Sequence, residues 1–433
     1  MNEKKMSLVD LVFMGMGGCI GAGIFSMLGV GVGYTGRSVA LAFLIAMLFK
    51  MSQNVRTIVM SSMFSMSGGM YSQTALILTP LLTGVNALMA VVGSFTFAVF
   101  GISLASYTVL LVPALVPFEK FLAAAWLLLF TVLAATGVNL FAKVQNLLGI
   151  SKIVTLGMFI VFGLFAMNHG GFEGEPYFIG GGINFITAIA LMSFTCDGIA
   201  MIVNVAPMAE NPKRNIPKAW VIASLACALI YALLGYVASG LAPHAEGAYQ
   251  NLGYFAQMVL PKPLYLFFIV GGAMASLSTA LLGGLIGQAP QLQGIAQDGW
   301  IPKLFNNRNV VLAVLCGMSI VTVFTGLTLD NIVSMTMVPS MVLGILTNLR
   351  AMKLPEQYPT EWANKGFNLS PSAYRGLMVL SIIASALTGY FSLTSLTLPL
   401  AIGTVFATAF LFIYSSYMIK SGKIDITSTT DLG

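Results

Sequence analysis

Long apolar runs separated by short polar segments make up nearly the whole chain. A helix needs about 20 mostly apolar residues to cross the hydrocarbon core of a bilayer, and most of the runs reach that length. We therefore predict an all-α membrane protein with twelve transmembrane helices, numbered here as spans one to twelve. The predicted spans cover residues 8–33, 38–62, 82–112, 121–141, 146–168, 182–205, 218–241, 264–293, 309–328, 331–350, 374–394 and 396–419.

The composition agrees with this pattern. Hydrophobic residues make up 58% of the chain and charged residues only 8%, whereas a soluble domain carries about 25% charged residues. This balance excludes a soluble enzyme, and no polar segment is long enough for a soluble domain. Residues 1–433 are therefore predicted to form a single transmembrane domain, with the lipid bilayer as its solvent.

The distribution of basic residues predicts the orientation. If both termini are cytoplasmic, only Arg37, Lys120 and Lys262 lie in outer loops, a strong bias of the kind that the positive-inside rule describes. We predict a multi-pass protein of the plasma (inner) membrane with cytoplasmic N- and C-termini. The net charge of +6 then reflects orientation and does not indicate a nucleic-acid partner.

Residues for metal, nucleophilic or redox chemistry are sparse. The two histidines fall in predicted loops, and the four cysteines lie in apolar runs without a CxxC pair, so we expect no metal site and no disulfide framework. There is no Walker motif for ATP. We therefore predict no catalytic residue, no metal and no cofactor. The cysteines are Cys19, Cys196, Cys227 and Cys316.

Spans one and six contain features that weaken a helix. Five glycines lie between Gly15 and Gly23, and each costs up to about 1 kcal/mol relative to alanine inside a helix. We predict unwinding at residues 21–23, although close packing through small residues is an alternative. In span six, Asp197 and Gly198 interrupt an apolar run, and an ionisable residue at that depth is usually functional.

These two spans begin two successive groups of five, residues 8–168 and 182–350, and residues 374–419 supply two extra helices. Interrupted helices at corresponding positions of two halves mark the substrate site of an inverted-repeat transporter. A half-helix N-terminus offers N–H groups to an anion, and the opposing ends offer carbonyls to a cation. The pattern therefore suits a zwitterion such as an amino acid.

Five motifs resemble those of the amino acid–polyamine–organocation (APC) superfamily of transporters, most closely its L-amino-acid transporter-like branch. The resemblance extends over nearly the whole chain. The segment 194–198 with its following NPKRNIP is the most specific. The motifs are GAGIF at 21–25, SGGMY at 67–71, VQN at 144–146 with Lys152 after it, FTCDG at 194–198 followed by NPKRNIP at 211–217, and AQDGWIP at 296–302.

The resemblance implies ten core helices in two inverted repeats (5+5) with helices one and six broken, plus two extra helices. It also implies that the N–H groups of Ala22 and Gly23 hold the substrate carboxylate, and that carbonyls near Cys19, Ile20 and Phe194 hold its ammonium. The gate candidates are Phe194 and Ile199. The candidate substrate site as a whole is Cys19, Ile20, Ala22, Gly23, Phe194, Thr195, Asp197 and Gly198.

The chain departs from the family pattern at several positions. Ala22 stands where serine is common, Val59 where a glutamate is common, and Ile199 and Ala200 where the branch often has Trp-Asn. In other members a glutamate stands two residues after the glycine, at the position of Ala200. The chain therefore lacks the aromatic gate and the acidic coupling residue of its relatives at these positions.

Charged residues within the spans are the remaining candidates. By the resemblance, the Lys152 ammonium stands where sodium sits in sodium-coupled relatives and bridges span one to span eight; its alternative is a lysine that snorkels to the surface. Asp197 has three open interpretations: a neutral acid hydrogen-bonded to freed backbone groups, a proton-coupling group, or the counterion of a basic substrate. The polar stretch 50–56 either ends span two early or lines an aqueous path.

The predicted function is secondary active transport or exchange of amino acids by alternating access. Neutral L-amino acids and sodium-independent transport come first. The alternative is proton-coupled transport or exchange of cationic amino acids or polyamines through Asp197, and a channel or amino acid sensor on the same fold is more remote. The predicted partners are an amino acid, the bilayer and, as a candidate coupling ion, the proton. The oligomeric state stays open.

Overall fold

The computed structural model describes residues 5–64, 74–136 and 139–425. The motif at 67–71 therefore lies outside the described residues. Within them the secondary structure is helical, with a single isolated bridge between Met6 and Ala209. Nine of the described helices are long and apolar enough to cross a membrane, and three shorter apolar helices accompany them. The prediction of an all-α membrane protein is confirmed.

Every predicted span overlaps at least one helix, and several spans consist of two. The helices, in the order of spans one to twelve, are Leu8–Cys19 and Ala22–Thr35; Val39–Gln53 and Val55–Met63; Pro80–Val92 and Phe97–Leu111; Glu119–Thr136; Asn139–Ala166; Gly181–Thr195; Pro212–Leu241; Lys262–Phe267 and Ala275–Gln297; Arg308–Thr325; Leu329–Ala351; Pro371–Thr394; and Leu398–Lys420.

Span five begins earlier than predicted. A loop was expected between residues 141 and 146, but the helix Asn139–Ala166 already covers that stretch and runs for 28 residues. The reason is local: residues 139–146 contain neither glycine nor proline, the residues that most strongly oppose a helix interior. The expected boundary rested on polar residues, which a helix accommodates.

The segment 242–263 folds onto span one at one end of the bundle. The Tyr249 N–H donates to the Gly29 carbonyl at 2.7 Å. A Cβ added at Gly29 would lie 1.8 Å from the Gln250 carbonyl oxygen, so this approach requires glycine. The Asn251 side chain also donates to the Ser106 hydroxyl of span three at 2.7 Å. The segment therefore closes this end of the bundle over spans one and three.

Candidate substrate-binding site

Span one is interrupted where the glycines predicted it. Its first half-helix ends at Cys19, residues 20–21 are not helical, and the second half-helix begins at Ala22. No side chain caps that second N-terminus, so its first N–H groups are available to an external acceptor. The first half-helix presents its last carbonyls to the same break. The interruption therefore lies at residues 20–21, whereas unwinding was predicted at residues 21–23.

Span six is interrupted at the acid and glycine. The helix Gly181–Thr195 stops, residues 196–198 are not helical, and a 3₁₀ helix follows over Ile199–Met208. Gly198 has φ +95°, a left-handed conformation in which glycine carries no steric penalty. The glycine therefore permits the change in helix direction.

The two breaks contact each other through their backbones. A Cβ added at Gly198 would lie 2.4 Å from the Gly18 carbonyl oxygen, and one at Gly23 would lie 2.5 Å from the Thr195 Cα. Both glycines are therefore required by close approach. The contact brings together the two groups of predicted site residues, 19–23 and 194–198, which lie far apart in the chain.

Tyr231 of span seven ties the two breaks together. Its hydroxyl donates to the Cys19 carbonyl at 2.8 Å, and the Thr195 carbonyl lies 3.3 Å from the same oxygen. The side chain is fully buried and packs edge-on against Phe43, with ring centroids 5.5 Å apart. Sequence reasoning missed this residue, because a tyrosine within an apolar run has no periodic or motif signal.

The other predicted residues of span six are packed around the break. Thr195 donates its hydroxyl to the Met192 carbonyl of its own helix at 2.7 Å. Ile199 is buried and lies against the first half-helix, with its Cγ2 3.4 Å from a Cβ added at Gly15. Phe194 is only partly buried. In this conformation, of the two predicted gate residues, only Phe194 retains exposed surface beside the break.

Lys152 is buried at the end of the first half-helix. Its side chain is 3% exposed, and its Nζ donates to the Gly17 carbonyl at 3.4 Å. A cation is stabilised by the partial negative charge at a helix C-terminus. The burial argues against a lysine that snorkels to the surface. The contact with span eight is made by the neighbouring Ser151, whose hydroxyl donates to the Gly271 carbonyl at 2.6 Å.

Span eight contains a π-helical turn at this contact. The turn covers Phe268–Met274 and separates Lys262–Phe267 from Ala275–Gln297. A Cβ added at Gly272 would lie 2.5 Å from the Thr155 hydroxyl, so spans five and eight touch through glycine. Turns of this kind are frequent at functional sites. Sequence reasoning missed this turn, because a π turn differs from an α turn by a single residue.

Asp197 forms an ion pair with Lys50 of span two. The Lys50 Nζ lies 3.0 Å from the Asp197 Oδ2, and the side chains are 12% and 55% exposed. Of the three interpretations of Asp197, a neutral acid bonded to backbone groups does not match this arrangement. The pair was missed because residues 50 and 197 lie in different halves of the chain.

Span two does not end at its polar stretch. The helix Val39–Gln53 pauses at Asn54, whose side chain donates to the Lys50 carbonyl at 2.9 Å, and then resumes over Val55–Met63. Gln53 donates to the Thr388 hydroxyl of span eleven at 3.2 Å. The residues of Val55–Met63 are mostly buried, so the expectation of an early end followed by an interfacial stretch is wrong.

A family model described as amino acid permease matches residues 6–422. The chain belongs to this family. Membership confirms the resemblance drawn from the motifs, and it confirms a membrane transporter rather than an enzyme.

Individual relatives carry different names. The chain is 26% identical to the vacuolar cationic amino acid transporter 4 of Arabidopsis thaliana over 70% of its own length and 54% of that protein. It is 26% identical to the methylthioribose transporter of Bacillus subtilis, over 70% and 69%. It is 24% identical to the branched-chain amino acid permease BcaP of Bacillus subtilis, over 69% and 68%. The chain thus spans about half the length of the plant relative.

Proposed function

We propose that this amino acid permease is a secondary transporter or exchanger of neutral L-amino acids that works by alternating access without sodium. The observation that carries the proposal is the contact between two helix breaks, one of which has at Ala22 an N-terminus that no side chain caps. Such a pair of breaks supplies donors and acceptors to one small molecule.

The substrate carboxylate binds at the N-terminus of the second half-helix. The N–H groups of Ala22 and Gly23 point along the helix axis, and the partial positive charge of the helix end favours an anion. The close contact of Gly23 with Thr195 keeps the carboxylate site next to span six. A site of this kind recognises the group that all amino acids share.

The substrate ammonium binds to carbonyls at the break. Candidates are the carbonyls of Cys19, Ile20 and Phe194. The Cys19 carbonyl already accepts from Tyr231 and the Phe194 carbonyl from the Asp197 N–H at 3.2 Å. A carbonyl oxygen has two lone pairs, so the Cys19 carbonyl keeps a position for an ammonium donor, whereas the Phe194 carbonyl also accepts from the Cys196 N–H and must release one of its two donors to bind an ammonium. Phe194, partly exposed beside the break, covers the bound substrate.

Lys152 replaces the sodium ion in this proposal. Its ammonium at the Gly17 carbonyl supplies a fixed positive charge at the end of the first half-helix. Because the cation is covalently part of span five, transport does not depend on a sodium gradient. The proton remains the candidate coupling ion, with Asp197 or Lys152 as its carrier.

Counterflow tests the function. The purified full-length protein is placed in liposomes loaded with unlabelled L-leucine, and radiolabelled L-leucine is added outside, with sodium or with choline as the external cation. We expect saturable counterflow that is equal in both buffers. Absence of counterflow with every amino acid tried would contradict a transporter and favour a sensor, whereas a requirement for sodium would contradict only the role of Lys152.

We also propose that the protein lies in the plasma membrane with both termini in the cytoplasm, as the distribution of basic residues predicts. Single cysteines at exposed positions in the loop 168–181 and in the C-terminal tail test this in intact cells. An impermeant thiol reagent is expected to label only the loop. Labelling of the tail instead would contradict the orientation.

A further inference from the structure

Lys50 belongs to no motif, yet it holds the acid that lies in the break of span six. We propose that Lys50 is a specificity-determining residue: a built-in cation that occupies Asp197 and thereby excludes substrates with a basic side chain. This inference rests on the proposed amino acid site and assigns its substrate class.

The two partners of the pair have different surroundings. The Lys50 side chain is 12% exposed, whereas the Asp197 side chain is 55% exposed, at a separation of 3.0 Å. A carboxylate facing lipid is strongly unfavourable, so we infer that the open side of Asp197 faces a water-filled space. The neighbouring Cys196 is buried and Gly198 touches Gly18 of span one. That space therefore adjoins the peptide groups of both breaks.

The backbone of Lys50 is held by hydrogen bonds at the end of its helix. It lies in the last turn of the helix Val39–Gln53, and its own carbonyl accepts both the N–H of Asn54, at 3.1 Å, and the Asn54 side chain, at 2.9 Å. The helix end therefore holds the lysine backbone. Among the described residues the ammonium is paired with Asp197 alone, and without that pair a mostly buried cation would be left without a counterion.

A basic substrate meets two penalties at this place. The only carboxylate in the two breaks is already neutralised, and the Lys50 ammonium repels a second cation at short range. A neutral side chain meets neither penalty. This is discrimination by a repulsive element rather than by an added attraction. Asp197 alone would favour a basic substrate, which is why the pair, rather than either residue, decides the substrate class.

The experiment compares L-lysine with L-norleucine, which has the same four-carbon side chain without the ammonium. Binding of each to the purified full-length protein is measured by the change in thermal unfolding as a function of concentration. The proteins are the wild type, Lys50→Met, Lys50→Gln, the double variant Lys50→Met/Asp197→Asn, and Lys262→Met. Lys262 is an exposed lysine that forms no ion pair with any of the described residues, and its substitution is the matched control.

The wild type and Lys262→Met are expected to bind norleucine and to reject lysine. In Lys50→Met and Lys50→Gln, Asp197 is free to accept a hydrogen bond from the ammonium of the substrate's side chain. The ratio of lysine to norleucine affinity should therefore rise by roughly 10-fold or more, the change in affinity expected from one added hydrogen bond between charged groups. In the double variant the ratio should fall below that of the single variants, because the carboxylate is gone, and stay above that of the wild type, because the repelling Lys50 ammonium is gone as well.

Two results would overturn the inference: a wild type that binds lysine as tightly as norleucine, or an unchanged ratio in both single variants. A wild type that binds no amino acid would instead contradict the proposed function. Failure of the Lys50 inference can therefore be distinguished from failure of the proposed function. The rejection of lysine by the wild type tests the inference even if the Lys50 variants do not fold.

Discussion

At the scale of single residues, the charged and polar groups of this protein act on helix ends. Lys152 donates to the Gly17 carbonyl in the last turn of the first half-helix, and Tyr231 donates to the carbonyl of Cys19, at which that half-helix stops. An unpaired carbonyl within a membrane costs several kcal/mol, so each of these donors stabilises a break that lipid alone would not tolerate.

Substitution of Lys152 by alanine tests the fixed cation. The variant leaves the Gly17 carbonyl without its charged donor, and we expect uptake to fall by about 10-fold or more, the value of one charged hydrogen bond. Uptake of radiolabelled L-leucine into liposomes measures it, with Lys120→Ala, an exposed lysine in the first turn of the helix Glu119–Thr136, as the control. Uptake at the wild-type rate in Lys152→Ala would refute the role.

Substitution of Tyr231 by phenylalanine tests the tie between the breaks. The ring and its contact with Phe43 remain, but the bond to the Cys19 carbonyl is lost, so stability should fall by about 1 kcal/mol. Thermal unfolding of the purified protein measures the change. Tyr236→Phe removes a hydroxyl of the same span whose hydrogen-bond partner, among the described residues, is only the exposed His169, and it should leave the unfolding temperature unchanged. Equal changes in unfolding temperature for the two substitutions would contradict the stabilisation of the breaks by the Tyr231 hydroxyl.

At the scale of elements, glycine determines where the helices break and meet. The cluster in span one and the Asp197–Gly198 pair in span six predicted both interruptions, because a helix is weakest where glycines accumulate. The π turn of span eight contains Gly271 and Gly272, but two adjacent glycines do not distinguish a π turn from an α-helix, and the pause at Asn54 contains no glycine. The π turn lies against span five, where Ser151 donates to the Gly271 carbonyl, and the pause is accompanied by the bond of the Asn54 side chain to the Lys50 carbonyl of the same span.

Substitution of Gly198 by alanine tests the second break. At φ +95° a side chain costs roughly 1–2 kcal/mol, and the new Cβ would also collide with the Gly18 carbonyl. We expect uptake to be abolished. Gly181 distinguishes backbone strain from steric collision, because it also has a positive φ of +72° but a Cβ added there would meet no atom within 4 Å. Gly181→Ala should retain uptake, and retention of uptake by Gly198→Ala would contradict the requirement for close approach.

At the scale of the whole molecule, the segment 242–263 closes one end of the bundle over span one. It is held by the bond of Tyr249 to Gly29 and by that of Asn251 to Ser106. A transporter that alternates its access must break such contacts in every cycle. These few bonds at the surface of the bundle are the kind that opens locally at low free energy.

Substitution of Gly29 by alanine tests this closure. The new Cβ would overlap the Gln250 carbonyl, so the segment 242–263 should pack less closely against span one. We expect faster amide hydrogen exchange at Tyr249 and its neighbours and slower uptake. Gly287→Ala places its Cβ in open space within span eight and serves as the control. Unchanged exchange in Gly29→Ala would indicate that the segment does not depend on this contact.

The sequence by itself determined the membrane-spanning helices, the two weak helices and the family, because hydrophobic length, glycine content and short motifs are local properties of a chain. Only the tertiary structure decided which distant groups meet: Lys50 with Asp197, Tyr231 with Cys19, and Gly198 with Gly18. Such pairs depend on how helices pack, and a single span carries no signal of its partner.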